Sequence, residues 1–168
     1  MLNSGGAPEG AGEREGPVDP SRVFHRIPGA TREEVLGDLS ARLAAQGAIG
    51  DAGDLTSHLL DRERIGCTGL GQGIAIPHCK LRNLREVVVA LATIAVPVDF
   101  GAADGRPIDL VVLVASPADS PAAHLQALAR VSRLLRTPGV SDALRAAGSR
   151  EELLEVLRSV EAAQPVAR

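Results

Sequence analysis

From Cys67 to Lys80 the chain reads Cys-Thr-Gly-Leu-Gly-Gln-Gly-Ile-Ala-Ile-Pro-His-Cys-Lys. An imidazole is the side chain best suited to exchange a proton or attack an electrophile near neutral pH, and His78 stands directly behind a proline. Gly69, Gly71 and Gly73 alternate ahead of it. Glycine permits positive φ and close backbone approach, and exposed backbone N–H groups in a glycine-lined hollow attract anions. Pro77 fixes its own φ and pushes Ile76 toward an extended conformation. A rigid strand end presenting His78 at the rim of such a hollow is expected. The chemistry this suits is phosphoryl transfer: His78 takes the group, and N–H groups around Thr68, Gly69, Gly71 and Gly73 receive its oxygens. The competing reading is a tight turn feeding a buried strand, with His78 as a polar strand cap. Two other glycine motifs are excluded. No Lys-Ser or Lys-Thr follows a glycine as a P-loop requires, and the G-x-G-x-x-G spacing fails because Gly73 follows Gly71 too soon.

Further residues could serve the same chemistry. Arg62 sits near the end of an expected helix, close in sequence to the glycine block, and a guanidinium fork matches phosphate geometry. A solvated surface arginine, favoured by the helix dipole, is its alternative. His124 falls in the first turn of another expected helix. That position disfavours a protonated imidazole and favours a bound anion. A neutral His124 could donate a hydrogen bond to a phosphoryl oxygen; the alternative is an exposed first-turn histidine. His25 and His58 read as a solvent-facing strand residue and a helix-surface residue. From Leu60 to Arg85, five basic residues (Arg62, Arg64, Lys80, Arg82, Arg85) stand against Asp61 and Glu63, in a chain of net charge −3. Cys67 and Cys79 flank the glycine block. They have neither zinc-ligand spacing nor the number a disulfide framework needs. Small buried hydrophobes describe them best, with redox sensitivity of Cys79 beside His78, or a thiol or metal site of Cys67, Cys79 and His78, as the other readings. No metal is expected.

The elements that would position these groups alternate between strand and helix. Residues 1–20 are rich in Gly, Pro, Glu and Ala without periodicity, as in a disordered tail. A strand is expected over 22–27. Thr31 with Glu34 marks the start of a helix that Gly47 ends. A second helix is expected over 51–63, with Leu55, Leu59 and Leu60 inward. Two long β-branched runs, 86–98 (broken at Pro97) and 108–115, read as strands buried on both faces. Pro121 opens a helix to Leu135 with Leu125, Leu128, Val131, Leu134 and Leu135 inward. A short helix over 140–147 and a Ser149-capped helix through Val160 follow, and residues 161–168 form a fraying tail. The fold class is α/β, a mixed and partly parallel sheet with helices on both faces, in one domain over 21–160.

Composition sets limits. Hydrophobic residues are 45% and charged residues 23%, with two Phe and no Trp or Tyr. Lack of aromatics and of a basic balance argues against nucleic acid as a partner. No apolar run approaches the ~20 residues of a membrane span, and no secretory signal is visible. A cytoplasmic location without membrane insertion is expected.

The block Arg62-Glu63-Arg64-Ile65-Gly66-Cys67-Thr68-Gly69-Leu70-Gly71-Gln72-Gly73-Ile74-Ala75-Ile76-Pro77-His78 resembles the active-site block of enzyme IIA domains of the bacterial phosphoenolpyruvate-dependent phosphotransferase system. The likeness is to the fructose/mannitol type and its nitrogen-regulatory relatives, and it runs from about Ser21 to Val160. The resemblance implies that His78 is the phosphorylated residue, through Nε2. It implies that His124, in its His-Leu-x-x-Leu-Ala context, is the family's second histidine and that Arg62 lines the site. Cys79 departs from the small residue common after the phosphorylated histidine. The implied function is a cytoplasmic phosphocarrier that takes a phosphoryl group from phospho-HPr or its nitrogen-branch counterpart and acts in phosphorylation-dependent regulation. The alternative is a separately encoded sugar-transport IIA subunit passing the group to a IIB domain. Its downstream partner is then a regulatory protein or a IIB domain. No IIB or membrane IIC sequence accompanies the domain in this chain, which fits either role. No cofactor is implied, and a phosphohistidine intermediate makes it a phosphotransferase component rather than a stand-alone turnover enzyme.

Overall fold

The computed structural model describes residues 16–164. The expected N-terminal tail lies mostly outside them. Its last part is ordered: Val18 is buried among the core residues, and Asp19 caps a 3-10 turn at Pro20–Arg22. The elements are β1 (Val23–Ile27), α1 (Arg32–Ala45), α2 (Ala52–Ile65), β2 (Gly69–Gly71), β3 (Ile74–Ala75), β4 (His78–Leu81), β5 (Val88–Val98), β6 (Ile108–Pro117), α3 (Pro121–Arg136), α4 (Val140–Ala146) and α5 (Arg150–Ala163).

Local chemistry accounts for the helix starts. The Thr31 hydroxyl accepts the Glu34 N–H, the Asp51 carboxylate accepts the Asp54 N–H, and the Ser149 hydroxyl accepts the Glu152 N–H. Each satisfies a donor that the first turn leaves free. Gly47, at φ 73°, closes the end of α1.

The sheet is mixed and runs β1-β5-β6-β3-β2, with β4 also on β6. β1 and β5 are parallel, β5 and β6 antiparallel, and both β3 and β4 run parallel to β6. Alternation along β5 and β6 divides the core in two. Val88, Ala90, Ala92, Val111, Leu113 and Ala115 face α1 and α2. Val89, Leu91, Leu110, Val112 and Val114 face α3, α4 and α5. Side chains of successive strand residues point to opposite faces, so continuous apolar runs give a sheet covered on both sides. Among the described residues no helix is long and apolar enough to cross a membrane.

Several boundaries differ from the sequence expectation. Pro97 stays within β5, and α5 continues to Ala163 beyond the expected end. Leu125 is 67% exposed rather than inward, and His124 takes the buried position instead. Pro77 lies in the break between β3 and β4, but pairing on β6 resumes beyond it. Ile74 pairs with Leu110 and Ala75 with Val111; beyond the proline His78 pairs with Val114 and Cys79 with Ala115 in the same register. The Pro77 carbonyl accepts the Val114 N–H at 2.9 Å. Proline supplies no N–H of its own, so one ladder bond is missing there. The strand is interrupted, but its alignment on β6 is kept.

Candidate functional site

His78 opens β4, half-buried, where this interrupted strand passes the end of the β2 lead-in. Its Nδ1–H donates to the Ile76 carbonyl at 2.7 Å. A carbonyl can only accept, so the Nδ1 proton is assigned by its partner and the neutral ring carries its lone pair on Nε2.

His124 comes from the helix that follows β6. The chain leaves β6 at Pro117, turns, and starts α3 at Pro121, whose missing N–H costs nothing in a first turn. The His124 N–H donates to the Ser120 carbonyl at 3.1 Å. Its side chain is 7% exposed, with Nδ1 2.8 Å from the buried Ser116 hydroxyl. The His78 and His124 ring centroids are 5.6 Å apart and the rings are tilted by 49°.

Arg62 lies on the last turn of α2, half-buried. Its Nη1–H donates to the Gly66 carbonyl at 2.9 Å, and it makes no ion pair among the described residues. Next to it, Glu63 is buried and accepts hydrogen bonds from the Thr68 hydroxyl and, at 3.3 Å, from the Thr68 N–H. No sequence motif assigns a role to Glu63 or Ser116. Glu63 continues the Leu55–Leu59 stripe of α2, which is the signal that it faces inward. Ser116 directly follows the doubly buried run of β6.

Electrostatics favour neutral rings. Burial holds His78 below the ordinary histidine value of 6.5; its bond to the Ile76 carbonyl and the Glu63 charge oppose that, and the Arg62 charge adds to it. Burial also holds His124 below 6.5, helped by His78 and Lys80. The group therefore combines a nucleophilic nitrogen, a second imidazole and a guanidinium, which suits the acceptance of a phosphoryl group.

The glycines are placed differently from the expected hollow. Gly71, Gln72 and Gly73 make the β2–β3 hairpin turn, with φ of 85°, 58° and 79°. Gly73 is five residues upstream of His78, roughly 16 Å at strand rise. The Gln72 N–H donates to Asp104 at 2.9 Å, and Arg145 ties the turn down through Asp109 at 2.8 Å and the Gln72 carbonyl. Thr68 and Gly69 lie nearer the histidine, since the Ile76 N–H donates to the Thr68 carbonyl. Their own N–H groups are engaged by Glu63 and by Cys67 Sγ. The structure thus brings His78, His124 and Arg62 to one edge of the sheet and leaves the hairpin glycines at the far end. His25 and His58 stand apart, bonded to the Ala147 and Asp54 carbonyls. Cys79 is buried against the α1 and α2 side, where burial, with the Asp54 charge, pushes its thiol up to about 12.

Comparison with known proteins places the chain among relatives of the same fold. The family model described as "Phosphoenolpyruvate-dependent sugar phosphotransferase system, EIIA 2" matches residues 17–160. A nitrogen regulatory protein of Pseudomonas aeruginosa is 34% identical over 147 residues, 88% of this chain and 96% of the relative. A nitrogen regulatory protein of Bradyrhizobium diazoefficiens is 35% identical over 140 residues, 83% of this chain and 91% of the relative. The crystal structure of nitrogen regulatory protein IIA-Ntr from Neisseria meningitidis superposes with a TM-score of 0.75 at 25% identity, covering 83% of this chain and 95% of that one.

Proposed function

The chain belongs to the EIIA 2 family of the phosphoenolpyruvate-dependent sugar phosphotransferase system, and from that premise we propose that it is a phosphocarrier whose acceptor is His78. The observation that carries this reading is the Nδ1–H bond to the Ile76 carbonyl. It leaves Nε2 as a lone pair on a ring that burial keeps neutral. In the transfer, His78 Nε2 forms a bond to phosphorus as the donor's phosphorus–nitrogen bond breaks. The electron pair of the broken bond returns to the donor imidazole, and His78 keeps its Nδ1 proton. His124 and Arg62 stabilise the phosphoryl oxygens, so the protein's contribution is positioning and charge.

The donor is phospho-HPr or its nitrogen-branch counterpart. Regulation is favoured as the outcome, because relatives named as nitrogen regulatory proteins match over nearly their whole length. A transfer assay tests the reading. Wild type and His78→Ala are incubated with phosphoenolpyruvate, enzyme I and either donor, and an acid-labile, base-stable label is followed. Label on wild type and none on His78→Ala is expected; a wild type that takes no label from either donor overturns the phosphocarrier.

A further inference from the structure

The contact between Ser116 and His124 determines more than packing. Ser116 is fully buried, and its Oγ lies 2.8 Å from His124 Nδ1. It stands opposite Lys80 in the β4–β6 pairing, on the strand that also aligns His78.

Two arrangements of this bond are possible. In one, the His124 Nδ1–H donates to the serine oxygen, and the serine proton must find a different acceptor. In the other, the serine O–H donates to Nδ1, and the ring's own proton sits on Nε2. Among the described residues, His124 Nδ1 is the partner the Ser116 hydroxyl has. The first arrangement would leave a buried O–H donor unsatisfied, which is unfavourable, whereas the second satisfies both groups.

We infer that Ser116 is a positioning residue that holds His124 as its Nε2–H tautomer. The neighbouring rings are then set oppositely by their fixed partners. A carbonyl makes His78 a lone-pair donor at Nε2, and a hydroxyl makes His124 a proton donor at Nε2. On the phosphocarrier reading, that proton is the one offered to the incoming phosphoryl oxygens. With Ser116→Ala the tautomer is no longer specified, and transfer slows by about tenfold or more, as for other groups that orient a functional histidine.

The tautomer is read directly by long-range nitrogen–proton NMR correlations of the imidazoles, on wild type, Ser116→Ala and Ser116→Thr. The expected result has three parts. Wild-type His124 shows a protonated Nε2. Ser116→Ala mixes or reverses the tautomer and slows labelling of His78. Ser116→Thr, which keeps the hydroxyl, restores both. A protonated Nδ1 on wild-type His124 overturns the inference without recourse to any variant, so a Ser116→Ala protein that fails to fold does not shield it. An unchanged tautomer and rate in folded Ser116→Ala overturn it as well. A wild type that takes no label yet shows the Nε2–H form supports the Ser116 assignment and overturns the phosphocarrier reading.

Discussion

His78 and His124 are both held below 6.5, with burial as the leading cause for each. The sign of the resulting pH dependence follows from linkage. A histidine whose folded pKa is lowered binds its proton more readily in the unfolded chain. The stability it contributes is complete above pH 6.5 and is lost as pH falls from there toward the folded value. The denaturant midpoint should therefore hold from pH 8 to 7 and decline below 6.5. His124→Gln should make that decline shallower. A midpoint that rises on acidification would contradict the burial argument. Transfer to His78 should show its acid limb below 6.5 in a pH–rate profile, because only the neutral ring attacks. Replacing His124 by Ala should slow transfer by about 10²-fold, the scale for one donor to developing charge, while His78 remains the labelled residue.

At the scale of elements, the hairpin and the edge that carries His78 and His124 are separable. A methyl added at Gly73 would lie 3.0 Å from Arg145 Nη2, 3.0 Å from Asp109 Oδ1 and 3.2 Å from the Pro107 carbonyl, on a backbone at φ 79°. Gly73→Ala should cost about 1–3 kcal/mol of stability, measured by denaturant unfolding. Its label stoichiometry should still equal that of wild type; loss of label in the folded variant would return these glycines to the phosphate site. The sequence made the helices legible because Thr31, Asp51 and Ser149 announce their starts chemically. In α3 it placed Leu128, Val131, Leu134 and Leu135 inward as found, but took Leu125 for the core residue of the first turn in place of His124. His124, Leu128, Val131 and Leu135 recur at i, i+4, i+7 and i+11, so the histidine occupies a core position and Leu125 falls outside. Apolar periodicity assigns such a position to leucine; only the hydroxyl of Ser116, brought from β6, makes burial of the imidazole tolerable. The glycine block is ambiguous in the sequence for a related reason. Alternating glycines fit a turn and an anion cradle equally, and the partners that decide between them, Asp104 and Arg145, are remote in sequence.

For the whole molecule, one sheet divides two cores, and neighbouring residues of β4 have different fates. His78 is half-buried beside His124, and Cys79 belongs to the core shared with α1 and α2. With its thiol pushed up to about 12, Cys79 should resist alkylation by iodoacetamide at pH 8 while the protein is folded and react once it is denatured. Mass mapping of the modified peptide distinguishes this from a thiol site. Rapid native alkylation of Cys79 would reopen the redox reading.

The unbroken register across Pro77 has a consequence for signalling. His78 rides on a rail: its backbone is clamped to β6 both before and after the proline. A loop-borne acceptor could swing when loaded, but this one has no slack to take up. Loading the imidazole would add negative charge beside Arg62 and Lys80, the cations whose charges reach the two rings, while the backbone beneath it stays paired to β6. A downstream protein would have to tell the two forms apart as a voltmeter does, by potential rather than by shape. Backbone amide shifts on phosphorylation should accordingly stay within the neighbourhood of His78 and His124, and displacement spread through β1 or α5 would show the rail to be a hinge.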